Sequence, residues 1–177
     1  GIAAGGPAPS GLSEKEQAAF DALDTFYKDS SGYAAMMVTR PQTIGYSLVD
    51  SPVGLAAWTY EKIAQWTYSG GEPERVRTGD EILDDIALYG FMKTGTSAAQ
   101  IYWEDHSNNF NAVDIEKMPV AVTVFPGEIY RAPQSWAERC YHNLIYFHEA
   151  DNGGHFAAWE QPELFTQEVR SASRPLR

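Results

Sequence analysis

Two short runs limit what this chain can fold into: Val120-Ala121-Val122-Thr123-Val124-Phe125, set between Pro119 and Pro126, and Leu144-Ile145-Tyr146-Phe147. Runs this brief, nearly free of polar residues and rich in β-branched and aromatic side chains, read as strands buried on both faces, the kind found in parallel sheets covered by helices. A short helix is expected between them, around Gln134 to Tyr141, and Asn152-Gly153-Gly154 reads as a turn after the second. Pro162 then opens a last helix with Leu164, Phe165 and Val169 on one face. Strand, helix, strand, helix is an α/β signature. Two such strands need neighbours on both edges and helices on both faces, which 177 residues of this pattern do not supply. The expectation is that the missing strands come from another polypeptide.

Upstream the pattern is helical. Residues 1–11, GIAAGGPAPSG, have no apolar period and read as a flexible arm. They carry neither an initiating Met nor a charged-then-apolar leader, so the chain is expected to begin inside a longer gene product. Ser13 with Glu16 three residues on forms a capping box, followed by one apolar face of Ala19, Phe20, Leu23, Phe26 and Tyr27. Ser30-Ser31-Gly32 is the expected stop, and Tyr33 to Val49, with Pro41 and Gly45, shows no clean period. Asp50-Ser51-Pro52 starts a second helix through Leu55, Trp58, Ile63 and Trp66. After the loop Gly70-Gly71-Glu72-Pro73, Asp80 is expected to cap a third helix carrying Ile82, Leu83, Ile86, Leu88 and Phe91. A fourth is expected from Ser97 to Trp103. The expected organisation is an arm at 1–11, a helical region at 12–112 and an α/β region at 113–177.

Composition removes several function classes. With 24 acidic against 13 basic residues the net charge is −11, and no Lys/Arg cluster offsets it, which disfavours nucleic acid as a partner. The longest apolar stretch, Pro52 to Trp58, is far too short to span a bilayer. Cys140 is the single cysteine, so neither an internal disulfide nor a cysteine zinc site can form, and it reads as a small core residue. No Walker loop or dinucleotide-binding glycine motif occurs. His148-Glu149 with His155 lacks the H-E-x-x-H spacing that places two histidines on one helix face, so no metal or other cofactor is expected.

Open α/β sheets place chemistry beyond the carboxyl ends of their strands. After the first strand comes Phe125-Pro126-Gly127-Glu128, and after the second Asp151-Asn152-Gly153-Gly154-His155-Phe156. A carboxylate after one strand and a histidine after the next is the second half of the hydrolase order nucleophile, acid, histidine. A histidine that gains a proton during turnover needs a carboxylate to fix its tautomer and stabilise its cation. On spacing alone, Glu128 as a solvated loop carboxylate and His155 as a turn histidine remain open.

At these residues the sequence resembles a family. RPQTIGYSLVDSPVGLAAW (Arg40–Trp58), FPGEI (Phe125–Ile129), GGHFAAWEQPEL (Gly153–Leu164) and the terminal RPLR are similar to the carboxyl half of microsomal-type epoxide hydrolases. The resemblance runs from about Gly11 to Arg177. It implies an α/β-hydrolase fold, here a fragment comprising the helical cap and the last two core strands with their helices. It also implies that Glu128 is the acid, that His155 is the general base, and that two cap tyrosines hydrogen-bond the epoxide oxygen. Tyr33, after Ser31-Gly32, matches one. Tyr102, in Gln100-Ile101-Tyr102-Trp103-Glu104, matches the other more loosely, with Tyr89 competing. The implied chemistry has two steps: an aspartate opens the epoxide to an ester while the phenols stabilise the developing alkoxide, and His155 then activates water to release a diol.

One departure from the family pattern concerns the nucleophile. In the family it stands on a G-x-D-x-G elbow, and neither that motif nor G-x-S-x-G nor an H-G-x-P segment occurs here; Gly45-Tyr46-Ser47-Leu48-Val49 lacks the closing glycine. The resemblance therefore implies a chain that holds base, acid and lid tyrosines, is inactive alone, and associates with an amino-terminal portion of the same hydrolase. Its other expected partners are an epoxide and water, and a homo-oligomer is compatible with the sequence. A haloalkane dehalogenase or esterase-like relative fits less well, since halide sites of that family use Trp or Asn donors. A non-catalytic module holding an apolar ligand among the aromatics is the alternative from another class. The acidic, cysteine-poor composition is compatible with a cytoplasmic location.

Overall fold

The computed structural model describes residues 8–104 and 115–177. The arm before residue 8 and the expected boundary near 112 lie outside the described residues. The described chain forms two compact units, one of residues 8–28, 66–68 and 115–177, the other of residues 29–65 and 69–104.

In the first unit, α1 (Glu14–Thr25) begins at the expected capping box. Ser13 Oγ accepts from Glu16 N at 3.3 Å and Glu16 Oε2 accepts from Ser13 N at 2.9 Å. Glu16 is buried, and its other oxygen accepts from Ser135 Oγ at 2.8 Å and Arg139 Nη2 at 2.9 Å. These join α1 to α7 (Gln134–Cys140). The Ser13 backbone N–H is the largest influence holding the Glu16 carboxyl down to about 2, with the Ser135 and Ser13 hydroxyls and the Arg139 charge acting in the same direction against burial. Past Thr25 the helix widens into a single π turn, Phe26–Ser30, and stops at the expected place.

The sheet is a parallel pair, β1 (Val120–Val124) and β2 (Leu144–Glu149), with Val122 opposite Phe147 and Val124 opposite Glu149. A register shift follows Val120. Both strands form where their apolar runs lie, but they are not buried on both faces: Ala121 is exposed and Val122 half-buried. α9 (Pro162–Ala172) covers one face of the pair. It does so through buried Glu168, whose Oε2 accepts from Thr123 Oγ1 at 3.0 Å and Tyr146 OH at 2.9 Å and meets His148 Nδ1 at 3.1 Å, while half-buried Leu164 packs against Phe125, Ala150 and Ala157 just past the strand ends. Phe165 and Val169, expected on the buried stripe with Leu164, are exposed instead. The stripe is turned because a buried carboxylate satisfied by three donors takes the place of an apolar residue at its centre. The single-turn α8 (Ala157–Glu160) precedes α9.

The second unit is all helix: α2 (Gly32–Thr39), α3 (Pro41–Asp50), α4 (Pro52–Trp66, its last residue in the first unit), α5 (Gly79–Met92) and α6 (Gly95–Glu104). The stretch that shows no period in sequence, Tyr33 to Val49, is thus two helices. Pro41 does not break a helix but occupies the first turn of α3, where its missing N–H costs nothing. The periodicity is blurred because α3 meets α6 through small residues. A Cβ on Gly45 would run into the Thr96 side chain, and one on Gly95 would lie 2.7 Å from Leu48 Cβ. α4 starts as expected, with Ser51 Oγ accepting from Gly54 N at 3.0 Å. The cap of α5 is Thr78 rather than Asp80. Thr78 Oγ1 accepts from Glu81 N while Glu81 Oε2 accepts from Thr78 N, a second capping box that leaves Asp80 inside the first turn.

Two outcomes follow from this packing. Gly95→Ala should cost about 1–3 kcal/mol by overpacking α3 against α6, read from urea unfolding, whereas Gly79→Ala, whose added methyl meets nothing within 4 Å, should cost far less. Because the Glu16 carboxyl is held low in the folded chain, its stabilisation is fully present above the ordinary glutamate range and is lost as pH falls toward about 2. The stability gap between the native chain and Glu16→Gln should therefore narrow steadily below pH ~4.5; a gap constant from pH 7 to pH 3 would contradict the assignment.

Candidate active site

Parallel pairing does not stop where the strands do. Beyond β1 and β2 an isolated bridge joins Gly127 to Gly154, with Gly127 N donating to Gly153 O at 2.9 Å. The residues that follow, Glu128 and His155, are brought side by side by this register. His155 Nδ1 lies 2.7 Å from Glu128 Oε1, and the same oxygen accepts from Ile129 N at 2.8 Å. The glycines are needed there. Gly153 sits at φ 105°, a backbone region that side chains disfavour. A Cβ on Gly127 would lie 2.8 Å from Tyr68 Cδ2, and one on Gly154 would lie 2.6 Å from Trp66 O.

The imidazole is framed from three sides. The His155 backbone N–H donates to Trp66 O at 2.9 Å. The Trp66 and Phe156 rings meet it edge-on, with centroids at 5.1 and 5.2 Å. Behind the loop, Glu160 is buried with both oxygens occupied by backbone N–H groups. With Nδ1–H directed at Glu128, the Nε2 lone pair is free to take a proton, which is the tautomer a general base requires.

Electrostatics favour the charged pair. The hydrogen bond to Glu128 is the largest influence raising the His155 pKa; burial opposes it, and the charges of Glu128 and Glu160 add to it. For Glu128, burial is the largest influence and acts upward. It is outweighed by the hydrogen bonds from His155 and Ile129 N and by the His155 charge, so the carboxyl lies below its ordinary value. The linkage has opposite signs at the two partners. The contribution of His155 is full below the ordinary histidine range and is lost as pH rises through its raised value; that of Glu128 is lost as pH falls through its lowered one.

The expected tyrosines lie in the second unit. Tyr33, in the first turn of α2, and Tyr102, in α6, are brought together by α2–α6 packing, with ring centroids 6.0 Å apart at 81°. Lys62 Nζ lies 4.6 Å from the Tyr33 ring centroid. Tyr89 stands on α5, 38% exposed, and is not the ring paired with Tyr33. His148 and Glu149 point to opposite faces of β2, the first to Glu168 and the second to Lys15 at 2.7 Å, so they do not converge on His155. Among the described residues no group of three or more His, Cys, Asp or Glu side chains could hold a metal ion. Nor is any described helix long and apolar enough to cross a membrane.

The sequence reading missed Trp66 and Glu160 at this site. Trp66 reads as one more apolar position of a helix, and its contact with His155 comes from a chain separation no local pattern encodes. Glu160 lies within the GGHFAAWEQPEL segment, but its burial is visible only in three dimensions.

No family model matches the chain. The protein named "Putative epoxide hydrolase" from Stigmatella aurantiaca (strain DW4/3-1) is 50% identical over 166 residues, which make up 94% of this chain and 38% of that protein. Epoxide hydrolase 1 of Sus scrofa is 38% identical over 159 residues, 82% of this chain and 35% of that one. Among solved structures, the epoxide hydrolase of Aspergillus niger superimposes with a TM-score of 0.80 at 30% identity, over 98% of this chain and 43% of that chain. The juvenile hormone epoxide hydrolase of the silkworm Bombyx mori gives 0.79 at 26% identity, over 93% and 41%. The chain therefore spans well under half the length of these relatives and represents a fragment of their α/β-hydrolase fold.

Gly154→Ala should disturb the site more than its size suggests, since Trp66 O and Glu160 Oε1 would lie 2.6 and 2.9 Å from the added carbon. A loss of about 1–3 kcal/mol in urea unfolding, together with displacement of the His155 ring proton resonances, is the expected outcome. An unchanged His155 spectrum would contradict the bridge as the source of alignment.

Proposed function

We propose that the chain is a part of an epoxide hydrolase of the α/β-hydrolase fold, and that it carries the base-bearing part of an enzyme that converts an epoxide to a vicinal diol. The single observation that best supports this is the 2.7 Å contact between His155 Nδ1 and Glu128 Oε1. In this reading an aspartate from an amino-terminal portion of the hydrolase attacks an epoxide carbon, the C–O bond breaks, and an ester forms. Tyr33 and Tyr102 donate hydrogen bonds to the oxygen as it becomes an alkoxide and is protonated. His155 Nε2 then takes a proton from water and the resulting hydroxide adds to the ester carbonyl; the acyl C–O bond breaks, the diol oxygen leaves and takes up the proton of the added hydroxyl, and the aspartate carboxylate is regenerated. Glu128 holds the imidazole and stabilises the imidazolium until its proton restores the phenol that protonated the ring-opened oxygen.

The nucleophile-bearing portion is the partner this reading requires, and the half-exposed strands supply a reason for association: β1 and β2 gain neighbours and cover when the remaining strands join them. A cytoplasmic location belongs to the same proposal, resting on the acidic, single-cysteine composition.

The test is to combine the chain with a nucleophile-bearing amino-terminal portion and follow diol formation from a styrene-oxide-type epoxide. Tyr33→Phe and Tyr102→Phe should each slow ring opening by roughly 10²-fold, and His155→Gln should accumulate the ester, seen as a mass increase of one substrate. Full rates in the double tyrosine variant would remove the lid assignment. A His155→Gln assembly that forms no ester while the native one makes diol would remove the two-step scheme.

A further inference from the structure

Within the first unit two glutamates besides Glu16 are buried, Glu160 and Glu168. Glu168 serves the sheet face through Thr123, Tyr146 and His148. Glu160 serves something else. It is the last residue of the single-turn α8, and its side chain folds back past the start of that helix. There Oε1 accepts from Gly154 N at 3.1 Å and Phe156 N at 3.2 Å, the two amides that flank His155. Oε2 accepts from Tyr68 N at 2.7 Å, just beyond Trp66, whose carbonyl takes the His155 N–H and whose ring abuts the imidazole.

One carboxylate therefore ties together the amide before the histidine, the amide after it, and the separate stretch of chain that holds the histidine's own amide. A buried carboxylate is costly unless its lone pairs are met. Here backbone donors meet both oxygens, so the group stays buried only in the one backbone arrangement that aims His155 Nδ1 at Glu128. No neutral side chain of this size reproduces that pattern. Glutamine offers one acceptor oxygen and turns an NH₂ toward a backbone N–H.

We propose that Glu160 is a positioning residue for His155, acting as a clamp on the backbone at both sides of the histidine and on the segment that packs against its ring. The inference rests on His155 being the general base, and it concerns the ester-hydrolysis step alone. Misplacing the imidazole by a fraction of its hydrogen-bond length leaves the nucleophile and the tyrosines untouched but spoils proton removal from water.

The clamp is testable in the native chain by through-hydrogen-bond NMR couplings from the amide nitrogens of Gly154, Phe156 and Tyr68 to the Glu160 carboxyl carbon. All three couplings are expected, and their absence overturns the proposal. In the assembly with the nucleophile-bearing portion, Glu160→Gln should slow ester hydrolysis by roughly 10²-fold while ester formation keeps its native rate. It should also shift the His155 ring resonances. Glu168→Gln, which removes an equally buried carboxylate from the same unit, should do neither. If Glu160→Gln does not fold, Glu160→Asp, which keeps the charge but shortens the reach, should show the same split between the two steps. Native ester hydrolysis and an unshifted His155 in a folded Glu160 variant would overturn the proposal. Failure of the native assembly to form any ester would instead overturn the epoxide-hydrolase reading, leaving the couplings to decide the clamp.

Discussion

The site depends on parallel register carried past the ends of two strands. β1 and β2 pair so that Val124 faces Glu149, and the Gly127–Gly154 bridge extends that alignment into the loops. Because the loops start in register, Glu128 and His155 leave the bridge as neighbours, and a 2.7 Å contact results without either side chain reaching far. Backbone hydrogen bonds thus set the distance on which the proposed proton chemistry turns. Glycine is the residue that permits it. A side-chain carbon at Gly154 would collide with the Trp66 carbonyl, and one at Gly127 with the Tyr68 ring.

A second theme is the use of buried glutamates as backbone and hydroxyl acceptors. In a chain of net charge −11 a buried carboxylate adds to the repulsion unless it is locally compensated. Glu16 is met by Ser13 N, Ser135 and Arg139, Glu160 by three amides, and Glu168 by two hydroxyls and a histidine. Each fixes a junction: α1 to α7, the histidine loop to the 66–68 segment of the same unit, and α9 to the sheet. Specific geometry replaces some of the apolar burial that two half-exposed strands lack.

How much of this could be read from sequence follows from which forces are local. The capping box at Ser13 and Glu16, the proline start at Pro52 and the two strands are short-range signals, and all appear where the residues place them. α3 escaped detection because Gly45 answers to the Thr96 side chain of a neighbouring helix rather than to its own helix's periodicity. Thr78 outcompeted Asp80 as a cap because Glu81 lies three residues after Thr78, completing the reciprocal bonds. At the site, Glu128 and His155 were legible from their place after successive strands and from the family motif. Trp66 and Glu160 were not, since their partners lie far along the chain or are backbone amides that no sequence pattern marks.

The most direct measurement is the protonation pattern of the His155 ring, read by ¹⁵N NMR across pH in the native chain. In the neutral form Nδ1 should be protonated and Nε2 unprotonated, with a titration midpoint above the ~6.5 of an unperturbed histidine. A neutral ring protonated at Nε2, or a midpoint at or below that value, would contradict the pairing of His155 with Glu128 as the base of the site.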